Sequence, residues 1–169
     1  MAQETRLSLL SFDADTAWDL GCTIRALAVE KYPGRAICIS IIHASTDKPM
    51  FFARTPGVTP SQISRLEGIR NAVKHLEMST WRASGQWGGY KEPVGPDCDL
   101  SPGGWPIRVR GVEGIVAVLI VLGLGFQLAE DGSFETILMT FNGGRIGNVV
   151  KASLDHELIL SALNMIHIQ

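Results

Sequence analysis

The residues Ile115–Leu122, reading IVAVLIVL, constrain the fold more than any other stretch of this chain. They are apolar without interruption and rich in β-branched side chains, which favours a strand. A strand is apolar at every position only when both of its faces are covered. The segment therefore belongs at the centre of a sheet, with helices packed against it. Just upstream, Trp105–Arg110 is a second extended segment, joined to the first by Gly111-Val112-Glu113-Gly114. The glycine-bracketed connection predicts a β-hairpin within Ser101–Leu124.

Three helices are legible around that hairpin. Asp13 or Asp15 is placed to cap a helix running to about Lys31, with Ala17, Leu20, Ile24, Leu27 and Ala28 as its apolar stripe. Gly21 interrupts this helix and suggests a close approach to the sheet, and Pro33-Gly34 stops it. Thr59-Pro60-Ser61-Gln62 combines a cap, a first-turn proline and a capping box, and starts a helix to about Met78. Asp155 is expected to cap a third, with Leu158, Ile159, Ala162, Leu163 and Ile166 on its apolar face. Ala36–Ile42 and Pro49–Ala53 read as two more strands, and Glu135–Phe141 as another. Residues 1–12 read as a lead-in whose leucines tuck against the domain. The resulting order, αββαββ with a final α, favours an α+β fold with a mainly antiparallel sheet flanked by helices.

A chain of 169 residues builds one such core comfortably, and it is read as a single domain over 1–169. A net charge of −2 gives no electrostatic case for nucleic acid as a partner. The longest apolar run falls far short of the ~20 residues that span a bilayer, so no membrane partner is expected. Cys22, Cys38 and Cys98 are scattered and odd in number, which suits reduced thiols in a cytoplasmic protein. The loop over 84–104 is dense in glycine and proline, with Trp81, Trp87, Tyr90 and Trp105 in or around it. Those aromatics either line a pocket for a flat ligand or pin the loop to the core, and packing is the favoured reading.

Five pieces resemble a known family: FDADTAWDLGCTIRALA, TPGVTP, RNAVKHLEMST, GGWPIRVRGVEGIVAV and DHELILSAL. In this order they are similar to the UPF0303 group, related to the haem-degrading-domain, GlcG and HbpS-like proteins. The resemblance implies a profilin-like αβ sandwich that assembles into homo-oligomers, with haem or a related tetrapyrrole as a ligand. It points to Asn71, Ser79, Gly103, Gly104, Asp155 and His156 as ligand-binding positions, with His156 the leading haem iron ligand because it matches the family's Asp-His pair; His75 is a second candidate outside that match. The chain also departs from the family pattern. A usual basic pair one turn before Asn71 reads Glu67-Gly68, and a usual His-Gly-Gly reads Pro102-Gly103-Gly104. An atypical insertion, 125–152, separates the hairpin from the last helix. It is either a lineage-specific loop or an unspliced intervening sequence, and native peptides from 125–152 would exclude the second.

Three functions remain open at this stage. One is haem or tetrapyrrole binding, and another is a non-catalytic oligomeric scaffold for protein partners. The third, a small-molecule enzyme, is disfavoured. A Ser79, His156 and Asp155 set would need adjacent helix positions to face one site, and no GxSxG elbow is present.

Overall fold

A computed structural model describes residues 8–85, 92–125 and 154–166, together with the backbone of His167 and of two short strand pairs, Thr136–Ile137 with Val149–Val150 and Thr140–Phe141 with Gly144–Arg145. The expected strand Glu135–Phe141 and the nature of the 125–152 insertion otherwise lie outside the described residues.

Five strands form the main sheet: β1 (Ser8–Leu9), β2 (Cys38–His43), β3 (Pro49–Arg54), β4 (Gly104–Val109) and β5 (Ala117–Leu122). Their spatial order is β1-β4-β5-β2-β3, so β5 is central, as its uninterrupted apolar run requires. All neighbours are antiparallel except β1 and β4. The predicted lead-in thus contributes a parallel edge strand, two residues long and too short to show alternation in the sequence. The hairpin is present, with Trp105 opposite Leu119 and Ile107 opposite Ala117.

The two faces of β5 carry separate cores. Ala117, Leu119 and Val121 pack with helix α1 (Ala14–Lys31) and helix α4 (Leu154–His167). Val118, Ile120 and Leu122 pack with Leu66, Ile69 and Val73 of helix α2 (Pro60–Leu76). Strict alternation of partners explains why no polar residue interrupts the strand.

Local chemistry fixes the helix ends. Asp13 caps α1, its carboxylate accepting from the Thr16 amide at 2.8 Å. Thr59 and Gln62 close the predicted capping box, with Gln62 Oε1 accepting from the Thr59 amide at 2.9 Å. Helix α2 stops at Leu76, two residues earlier than expected, because Glu77 turns left-handed at φ 51°. A separate four-residue turn of helix, α3 (Thr80–Ala83), then carries Trp81. Gly21 does allow the close approach read from the sequence: a Cβ there would run into the Phe51 ring of β3.

Candidate functional site

Four of the six positions singled out in the sequence meet where β4 and α4 begin. The Gly103 carbonyl accepts from the Val121 amide at 2.9 Å, which pins the entry to β4 against the end of β5. The Gly104 amide donates to Thr80 Oγ1 at 3.0 Å, beneath Ile69 and Val73 of α2. On the opposite side, Gly103 backs onto Asp155. His156 follows on α4 and lies against Trp105 and Trp81, at ring separations of 5.3 Å and 6.0 Å.

Asp155 does not cap its own helix, contrary to expectation. Helix α4 already begins at Leu154, and the Asp155 carboxyl instead accepts from the Leu124 and Gly125 amides, each at 3.0 Å. It latches the end of β5 to the start of α4. The Leu154 amide donates to the Gly125 carbonyl at 2.9 Å and closes the latch from the other side. Burial pushes the Asp155 pKa up to about 7, against the downward pull of the two amides and of Arg35 and Arg65. A buried carboxyl titrating near neutrality is therefore the most perturbed acid of the latch.

His156 is 5% exposed, and burial holds its pKa down to about 4. The neutral imidazole is the form that binds iron, but both neighbouring indoles are themselves buried and cover it. A macrocycle reaching His156 would have to displace Trp81 or Trp105. Successive residues on a helix point about 100° apart. Asp155 turns to the β5 end and His156 to the tryptophans, so the two do not share a site.

Ser79 and Asn71 each have local partners. Ser79 is fully buried, and its hydroxyl accepts from the Arg82 amide at 3.2 Å as the N-cap of α3. Asn71 lines a different hollow from Asp155. Its Nδ2 donates to the Asp97 carbonyl at 3.2 Å, and its Oδ1 accepts from Arg70 at 3.1 Å.

Two hollows flank this arrangement. One, of about 400 Å³, opens on α2 and is lined by Asn71, Lys74, His75, Asp97 and Cys98. His75 is exposed there, whereas burial and the nearby Asp97 push the Cys98 thiol up, which keeps it protonated at neutral pH. For a group such as haem, which needs a reachable nitrogen, His75 is exposed to this hollow whereas His156 is enclosed by its two indoles. The other hollow, of about 710 Å³, lies over the latch, with Arg35, Gln62, Arg65, Ser101 and Asp155 in its wall.

Sequence reasoning missed Arg35, Arg65 and Asp99. The segment around Asp99 folds back on α2: its amide donates to the Gly68 carbonyl at 2.9 Å, and its carboxylate accepts from Arg65 Nε at 3.0 Å. Gly68 permits this, since a Cβ there would sit 2.9 Å from Asp99 Cβ. The departure Glu67-Gly68 thus marks a docking point for the loop. Arg65 had the pattern of a solvated helix face, and no periodic signal announces Arg35.

Together, a five-stranded mainly antiparallel sheet, helices on both faces and a β5–α4 latch define an α+β sandwich of the profilin-like class. The model of the haem-degrading HbpS-like proteins matches residues 12–134. A UPF0303 protein of Brucella ovis is 36% identical over 129 residues, covering 72% of this chain and 73% of the relative. The chain belongs to the UPF0303 group of the HbpS-like family. Among solved structures, the Ybr137w protein superposes with a TM-score of 0.74 at 19% identity, covering 98% of this chain and 83% of its own. A PduOC:heme complex has a TM-score of 0.57 at 14% identity, covering 92% and 94%. Both likenesses concern the fold.

Proposed function

We propose that this chain is a haem- or tetrapyrrole-binding domain of the cytoplasm, and that His75 is its iron ligand. The observation that carries the reading is an exposed imidazole in the wall of the 400 Å³ hollow on α2, while His156 is enclosed by two indoles. The family's description as haem-degrading and the solution of a fold relative with heme support the choice of ligand class. Three cysteines with no disulfide suit a reducing compartment. When bound, the iron would be held by the His75 imidazole, and Cys98, kept as a thiol, would not compete for it.

A visible-absorbance titration with haem tests this directly. The expected result is a saturable Soret shift at one haem per chain, weakened about tenfold or more in His75→Ala and unchanged in His156→Ala. No saturable shift in the unsubstituted protein would sink haem binding. Loss confined to His156→Ala would return the ligand role to His156.

A second reading, homo-oligomerisation, rests on edge strand β3. Phe52 is 49% exposed on one side of it, and Trp18 of α1, 62% exposed, lies against Phe51 on the other. An open edge flanked by exposed aromatics is suited to a second copy of the chain. Light scattering on the eluting protein is expected to give a multiple of 18.3 kDa, falling toward the monomer in Trp18→Glu and Phe52→Glu. A monomeric parent protein, or variants with unaltered mass, would remove this edge from consideration.

A further inference from the structure

We propose that the larger hollow, over the β5–α4 latch, is a binding site for a small organic acid whose carboxylate is held by Arg35 and Arg65. This site is separate from the one assigned to haem and does not depend on that reading.

Two arginines set the charge of this hollow. Arg35 donates through Nη2 to the Leu124 carbonyl at 2.9 Å, and among the described residues its guanidinium makes no ion pair. Its remaining N–H groups are available to a ligand. Arg65 is fixed in place by Asp99 and by the Ser101 hydroxyl, so its fork is pre-oriented. Both arginines line the hollow, and both act through space on the Asp155 carboxyl in its wall.

The two oxygens of Asp155 are already taken by the Leu124 and Gly125 amides. Asp155 therefore turns its bonding capacity to the backbone and makes no hydrogen bond to either arginine, which leaves the Arg35 N–H groups for an incoming anion. Gln62 adds a polar side chain at the rim, its Nε2 held by the Ala36 carbonyl at 3.3 Å. The charged groups around the latch are thus Arg35 before β2, Arg65 on α2, Asp99 paired to Arg65, and Asp155 itself. With Asp155 protonated the wall keeps the net positive charge of Arg35, and ionisation of Asp155 cancels it, so an anion is held less tightly as the pH rises.

Amide NMR of the full chain, titrated with succinate at matched ionic strength, reads this site. Saturable shifts of the Leu124 and Gly125 amides are expected, and chloride alone should not produce them. Arg35→Gln should lower the affinity about tenfold or more, and Arg35→Lys, which keeps the charge and loses the planar fork, by less. Arg35 is exposed, so neither change should disturb the dispersed spectrum of the folded protein. From pH 6 to pH 8 the affinity should fall severalfold in the parent protein and stay level in Asp155→Asn. Shifts that fail to saturate, equal shifts with chloride, or full affinity in Arg35→Gln would overturn the site. A pH-independent affinity in the parent protein would remove Asp155 from it.

Discussion

Gly103→Ala will destabilise this protein by about 3 kcal/mol or more. Two independent effects meet at this residue. Its φ of +118° lies where L side chains are strained, at about 1–3 kcal/mol. A Cβ there would also collide with the Val121 carbonyl oxygen. The backbone cannot retreat freely, because the Gly103 carbonyl is bonded to the Val121 amide at 2.9 Å. Moving away loses that bond, at about 1 kcal/mol, and pushes on Asp155, whose Cβ would be 3.4 Å from the new methyl. Gly111 supplies the control. It also has a positive φ, +79°, but a Cβ there meets nothing within 4 Å, so Gly111→Ala should cost only about 1 kcal/mol. Urea denaturation of the two variants should show equal m-values and well-separated midpoints. Equal midpoints would mean that β4 and β5 are not pinned together at Gly103.

The contrast between those two glycines shows what could be read from the chain. In the sequence Gly111 reads as part of the hairpin connection and Gly103 as a ligand-binding position, and only the fold reveals that Gly103 has β5 behind it. Strong local signals were legible because their physics is local. The unbroken apolar run of β5, the Thr59–Gln62 capping box and the α1 stripe each depend on neighbours within a few residues. The site was harder because its residues meet through long returns of the chain. Gly103, Gly104 and Asp155 come together where β4 and α4 begin, whereas Asn71 faces another hollow. Arg65 looked solvated until the segment around Asp99 folded back to it through Gly68. Asp155 had every local mark of a helix cap, yet the amides of Leu124 and Gly125, 31 and 30 residues away, claim it.

Adjacent Asp155 and His156 should hide one another in the pH dependence of stability, and single substitutions should reveal each. The Asp155 pKa rises from 3.8 to about 7 on folding. Between those values the native state holds a proton that the unfolded state lacks, so stability falls as pH rises, by about 1.4 kcal/mol per pH unit. This contribution is fully present below 3.8 and is lost as the pH passes through about 7, a total of about 4 kcal/mol. His156 runs the other way. Its pKa drops from 6.5 to about 4, so in that window the unfolded state binds the extra proton and stability rises with pH. That contribution is present above 6.5 and is lost as the pH falls through about 4, a total of about 3 kcal/mol. The windows overlap and the slopes oppose, so these two groups together should leave the parent protein nearly flat from pH 4 to 6.5. His156→Gln removes the rising limb, and its unfolding free energy should decline from pH 4 to 7. Asp155→Asn removes the falling limb, and its curve should climb from pH 4 to 6.5 from a lower starting point, since an amide cannot accept both backbone bonds well. Urea midpoints at closely spaced pH values would read both curves. Parallel profiles for the two variants would mean that the latch and the indole-covered histidine do not titrate as their burial requires, and opposite slopes would establish that they do.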